Sequence, residues 1–215
     1  VHKEGEPLRG IVTGYNSLVG KTESWLKELL QPSLEKCELL IDSNTNFKNS
    51  ILKNRNNFDE TKHEIVSFDA RQLFHSVNVN RVISYILSEI YKSPRKFFKE
   101  RDKNGKLLPA PQRENFREVL HSVLVGRSFF NTQIGLFRQK RGLSMGSSLS
   151  PLLANLFLNL MEQDIVKPLK KSGQIIHWVR FADDVLSVVK KGSRDSILEK
   201  LNQWDQKLSF TWEEI

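Results

Sequence analysis

"VRFADDVLSVV", residues 179–189, sets two aspartates side by side between two apolar runs. The runs are rich in β-favouring residues, so the stretch predicts a hairpin whose turn carries Asp183 and Asp184. Two carboxylates about 4 Å apart repel by roughly 4 kcal/mol at an effective dielectric of about 20, a large share of what keeps a domain folded. Taken alone, an Asp-Asp pair also suits an Asx-type turn on a surface hairpin. The apolar flanks weaken that reading and raise the question of what offsets the charge.

A partner lies upstream. "HEIVSFDA" (63–70) is a short β-favouring run that brings Asp69 to its end. If this strand and the 174–190 hairpin are neighbours, three carboxylates converge. A hard divalent cation such as Mg²⁺ takes oxygen ligands of this kind and is completed by water and substrate phosphates. Two such ions about 3.5–4 Å apart can activate an attacking hydroxyl and stabilise a leaving oxygen. Without metal, at least one of the aspartates should hold a proton more readily than usual.

The remaining elements alternate without repeats. Residues 1–17 read as loops flanking a strand, and Trp25, Leu26, Leu29 and Leu30 mark a helix over 22–36, interrupted near Pro32. The polar, Asn- and Lys-rich stretch 42–62 reads as a surface excursion at a subdomain junction. Val82, Ile83, Ile86, Leu87 and Ile90 give a helix capped by Asn78 or Asn80, and 93–112 a basic loop or hairpin. Phe116, Val119, Leu120, Val123 and Leu124 line the next helix, and 128–139 reads as a hairpin turning near 131–135. After "RGLSMGSSLSP", Ser150 and Pro151 suit the N-cap and first position of a long helix with Leu152, Leu153, Leu156, Phe157, Leu160 and Met161 inward. A helix over 194–208 and a closing strand, "LSFTWEEI", follow. The order predicts an α+β fold, a mixed sheet backed by helices on one face.

With 215 residues, 39% hydrophobic and 27% charged, the chain can bury a real core as one unit or two subdomains. Its 33 Lys+Arg against 25 Asp+Glu give a net charge of +8, which favours polyanionic partners, although a merely soluble basic protein has the same balance. A single cysteine, Cys37, excludes a disulfide framework or a cysteine-built zinc site and fits a reducing compartment. No apolar run reaches the roughly 20 residues of a membrane span, and no signal-peptide pattern opens the chain, so a soluble intracellular protein is expected. Starting without methionine and stopping inside a strand-like run, the sequence reads as a piece of something longer.

"VSFDARQLF", "RQKRGLSMGSSLSPLLANLFLNLME" and "VRFADDVL", in that order, resemble the motifs of the reverse transcriptase palm, and "VHKEGEPLRGI" resembles the fingers motif that precedes them. The likeness spans nearly the whole chain and is closest to the reverse transcriptases of Penelope-like elements, with group II intron and retron-type enzymes as rivals. It implies a polymerase palm, a mixed or antiparallel sheet backed by helices, with part of the fingers and no thumb: 1–62 as partial fingers and connecting segment, 63–215 as palm. It further implies an RNA-directed DNA polymerase of a retroelement, with primer-template and deoxynucleotides as partners, two Mg²⁺ ions (Mn²⁺ being an alternative), a nuclear location, and a nuclease domain elsewhere in the parent protein. Gly10, Ser148 and Phe181 depart from the residues usual in that family.

By the same resemblance, Asp69 and Asp183 are the principal metal ligands, the carbonyl of Ala70 is a further ligand, and Asp184 is needed less directly. Phe74 falls where the family holds the aromatic ring beneath the incoming sugar, and it is equally an ordinary core phenylalanine. Arg9, and more weakly Lys3, match the fingers cations that grip the triphosphate, against a reading as solvated surface charge. Gln139, Gly142 and Gly146 match the segment lining the nucleotide and template, and a plain turn before a helix accounts for the glycines as well. Two other functions remain open: another palm-type nucleotidyltransferase, including a non-templated one, and a domesticated nucleic-acid-binding module without catalysis. The presence of all three aspartates argues against the last.

Overall fold

The computed structural model describes residues 18–125 and 129–214, so the strand expected within 1–17 lies outside the described residues. Helix α1, Leu18–Leu30, buries Leu26, Leu29 and Leu30 and tightens into a 3-10 turn, Gln31–Lys36, where Pro32 withholds a backbone donor. The stretch 42–62, expected as a surface excursion, contains a surface helix, α2, Asn44–Asn54. None of its residues is buried, so it carries no apolar period. What starts it is Ser43, extended at φ −153°, whose hydroxyl accepts the Asn46 N–H at 3.2 Å.

Strand β1, His63–Arg71, continues two residues past Asp69 and leads into a single helical turn, α3, Leu73–Ser76. Helix α4, Val79–Lys92, is capped by Asn78, whose side chain accepts the Arg81 N–H; Asn80 lies inside the helix. The basic stretch 93–112 holds a short helix, α5, Pro94–Phe97, and a tight loop closed by an Arg101–Leu107 antiparallel bridge. Then come α6, Arg113–Leu124, and the expected hairpin as β2, Phe129–Thr132, and β3, Gly135–Arg138. Helix α7, Ser150–Met161, passes through a π-helical turn, Glu162–Val166, into α8, Lys167–Lys171. Ser150 is its first residue and donates to the Ser144 carbonyl at 2.7 Å; the hydroxyl of Ser147, not that of Ser150, accepts a backbone N–H here, from Leu149. The chain ends with β4, Ile175–Phe181, β5, Asp184–Lys190, α9, Arg194–Trp204, and β6, Ser209–Glu214.

These elements form two compact units that interleave along the chain. Of the described residues, one holds those from Leu18 to Pro32 with those of Asn78–Leu152, the other Ser33–Val77 with Leu153 onward. Within the second unit, α2 lies against β4, and Ser50 Oγ sits 3.4 Å from His177 Nε2. In the helical unit Phe116 is the hub, with Trp25 and Phe98 meeting it edge-on at 6.3 and 5.3 Å between ring centroids.

The second unit is built on a sheet of order β4-β5-β1-β6, antiparallel between all named strands. Of the mixed or antiparallel arrangements expected, the sheet takes the antiparallel one, and among the described residues an isolated bridge from Leu40 to Arg180 at the outer edge of β4 adds a parallel pairing. Strand alternation explains the layering: Val66, Phe68 and Ala70 on β1 and Val185, Ser187 and Val189 on β5 are buried, while Asp69 and Asp184 are exposed. Phe68 stacks on Trp178 at 5.6 Å, each ring contributing about 1.5–3 kcal/mol or more by leaving water.

Candidate active site

The β1–β5 register sets Asp69 directly opposite Asp184, and the Ala70 N–H donates to the Asp183 carbonyl at 3.3 Å. Asp183 occupies the hairpin turn and Asp184 opens β5, so all three carboxylates stand exposed at one end of the two central strands. Partial burial raises the pKa of Asp69 above its ordinary 3.8, and the charges of Asp183 and Asp184 raise it further; Arg71 pulls the other way. A carboxyl raised in the folded state contributes stability that is complete below its unfolded pKa and is lost as pH climbs through the folded one. Denaturation midpoints measured from pH 3 upward are therefore expected to fall across this window in the metal-free protein. Asp69→Asn should flatten that fall, and an unchanged pH slope in the variant would contradict the placement.

Two non-glycine residues among those described have left-handed backbone, and both adjoin these carboxylates: Gln72 (φ 48°) turns β1 into α3, and Ala182 (φ 53°) precedes Asp183. Each such residue costs on the order of 1–3 kcal/mol and persists only where its surroundings impose it. At Ala182 the imposing group is visible. Arg180 is completely buried, and its guanidinium donates from Nη1 to the Ala182 carbonyl (2.9 Å) and Asn155 Oδ1 (2.7 Å). From Nε and Nη2 it donates to the two carboxylate oxygens of buried Glu162 (2.7 and 3.3 Å), and Nη2 also reaches the Asn155 carbonyl at 3.4 Å. Trp178 Nε1 adds a bond to Glu162 at 3.2 Å.

Phe74 is half-buried on α3, and Ala70 is buried on β1 opposite Phe210 of β6. Gln139, Gly142 and Gly146 belong to the helical unit, the aspartates to the sheet unit. Gly142 (φ 70°) and Gly146 (φ 100°) occupy backbone that side chains rarely adopt, so local geometry alone requires glycine there. Gln139 is engaged locally, its Nε2 donating to the carbonyls of Arg141 (2.7 Å) and Leu143 (3.1 Å). Lys3 and Arg9 lie outside the described residues.

Several residues escaped the sequence reading. Glu23 on α1 bonds to the Ser147 side chain and the Ser148 backbone, tying the glycine-rich segment to its own unit; burial raises its pKa and these bonds oppose the rise. Arg180, Glu162 and Asn155 were also passed over. A charge at an inward position of "IIHWVRF" and another ending the apolar run "LLANLFLNLME" were the available signal. Beside Asp184 the sheet also bears a shallow pocket of about 250 Å³, walled by Phe47, Val179, Phe181 and Leu186 with Ser43 and Ser67.

Among the described residues no three His, Cys, Asp or Glu side chains are grouped closely enough to form a metal-holding cluster. The aspartates nonetheless suit a hard divalent ion by chemistry: they are oxygen donors, solvent-accessible, and their mutual repulsion adds to the rise that partial burial gives Asp69. Mg²⁺ keeps several waters and is bound through one or two carboxylates plus substrate phosphates, so a closed protein cage is not required.

Solved structures share this fold. The apo telomerase of Candida tropicalis, truncated from its C-terminal domain, superposes with a TM-score of 0.58 at 17% identity, over 90% of this chain and 40% of that one. Telomerase of Candida albicans with a fragment of telomeric RNA gives 0.57 at 19% identity over 92% and 35%. An RNA polymerase complex inside a double-stranded RNA virus gives 0.53 at 8% identity over 95% and 19%. The chain thus spans well under half the length of each of these. Comparison with curated proteins finds no match. The family model described as reverse transcriptase (RNA-dependent DNA polymerase) matches residues 25–212, from α1 through β6 and across all three aspartates. Motif order, strand register and this match agree, and the chain belongs to the reverse transcriptase family.

Proposed function

We propose that this chain is the fingers–palm portion of an RNA-directed DNA polymerase that adds deoxynucleotides to a primer 3′-hydroxyl. The observation that carries the reading is the opposition of Asp69 and Asp184 across β1 and β5 with Asp183 in the adjoining turn, three exposed carboxylates on a rigid sheet. In the reaction the primer oxygen forms a bond to the α-phosphorus, the bond to pyrophosphate breaks, and the hydroxyl proton leaves. Asp69 and Asp183, with the Ala70 carbonyl and Asp184, would hold Mg²⁺ or Mn²⁺, which when bound activates the hydroxyl and neutralises the leaving oxygen. The chain itself contributes placement, since a sheet fixes the carboxylates before substrate arrives.

Phe181 is 56% exposed beside Asp184, and its bare ring suits contact with the primer terminus. Arg9 and Lys3 are proposed for the triphosphate, and Gln139, Gly142 and Gly146 for the nucleotide and template side. The Penelope-like assignment rests on "GLSMGSSLSPLLANLF" and "HKEGEPLR", and with it go a nuclear site of action and a nuclease domain in the parent protein.

Primer extension by the full-length protein on matched RNA and DNA templates tests the reading; no extension on either would refute it. Binding offers an independent check. The +8 charge and the basic stretches 95–106 and 138–141 are expected to release counterions on primer-template. Log K should fall by roughly 0.7–0.9 per neutralised phosphate for each unit of log salt. A slope near zero would assign those charges to solvation alone.

A further inference from the structure

We propose that Arg180 is a positioning residue for the carboxylate turn, acting through the Ala182 carbonyl; the proposal rests on the polymerase reading above. A buried ion pair is poor evidence of stability, because apolar residues of similar volume often serve as well or better. Arg180 and Glu162 are both fully buried, yet their geometry goes beyond a neutralised pair. All five guanidinium N–H groups have acceptors, and one of them is not on Glu162 or Asn155 but on the peptide that joins Ala182 to Asp183.

That peptide follows the left-handed residue, so the bond from Nη1 fixes the plane from which Asp183 departs. The anchor is itself rigid on every side. The Arg180 N–H donates to the Leu39 carbonyl at 2.9 Å, and its own carbonyl accepts the Ile41 N–H at 2.8 Å. Glu162, which holds the guanidinium from the far side, opens the π-helical turn that interrupts the run from α7 to α8. Such single-turn widenings occur often at functional sites, and here the turn begins on the one carboxylate that meets the arginine fork. A lysine could satisfy the charge but not the five directions.

The test uses the full-length protein carrying Arg180→Lys. Hydrogen exchange at residues 181–185 is expected to quicken about tenfold relative to β1 while the remaining strands keep their protection. Primer extension should slow about 100-fold with the nucleotide KM unchanged, the scale on which small misplacements act. Adding Ala182→Gly should recover part of that rate, because glycine takes a positive φ without help. An arginine that merely fills the core would loosen the sheet uniformly and gain nothing from the glycine; either result overturns the proposal. If Arg180→Lys does not fold, Asn155→Ala removes one bond from Nη1, and unchanged exchange at 181–185 in that variant overturns it equally. Should the unsubstituted protein fail to extend primers, the polymerase reading falls, and faster exchange confined to the turn still supports the positioning role.

Discussion

Asp183→Asn is expected to slow primer extension by about three orders of magnitude in the full-length protein, while its melting temperature without metal stays level or rises slightly. The rate loss follows from removing a carboxylate that would hold the cation neutralising the phosphate oxygens; preorganised groups of electrostatic role account for about 10²–10³ or more each. The stability half follows from exposure: the side chain is solvated, buries no apolar surface, and adds to the repulsion that raises Asp69. Single-nucleotide incorporation and thermal melting on one preparation separate the two effects. Extension at the unsubstituted rate would end the case for Asp183 as a ligand, whatever the melt shows.

Phe74→Ala is expected to raise ribonucleotide incorporation relative to deoxynucleotide with little loss of stability. Its ring is half-buried on the single turn of α3, which the left-handed Gln72 swings away from β1 just beyond Asp69. A ring beneath an incoming sugar rejects a 2′-hydroxyl by contact and by leaving it without a hydrogen-bond partner. Were Phe74 a core residue, truncation would instead cost about 3–5 kcal/mol and leave sugar preference alone. Melting and paired incorporation of the two sugars decide between them, and a destabilised variant with unchanged selectivity removes Phe74 from the site.

The carboxylate end of the sheet was legible because its signals are local and its chemistry unusual. Alternation in "HEIVSFDA" and "VRFADDVLSVV" gave strands, and like charges at their ends demanded an explanation before any contact was known. Strand adjacency could only be posed as a condition, since nothing in a sequence states that β1 pairs with β5; the register supplied it. Helix α2 was missed because burial creates the apolar period, and a helix with no buried residue has none; only Ser43 marked it. The Arg180 network was missed for the opposite reason: a charge within an apolar run reads as noise until its acceptors, one on α7 and one on the π turn, are seen to converge on it.

The interleaving of the two units bears on how the protein is made. The neighbour β5 leaves the ribosome only roughly 110 residues after β1, and β6 later still, on the order of ten seconds at about 5–20 residues per second. Until then, the strand that carries Asp69 has both edges bare, an invitation to pair with another chain. The helical unit closes through contacts between α4 and α6 that form over short chain separations, and can settle first. The sheet unit must wait for its last strand. Slowed translation or a holding chaperone during that interval should therefore change the yield of soluble protein, and strand β1 is where the nascent chain is most in need of cover.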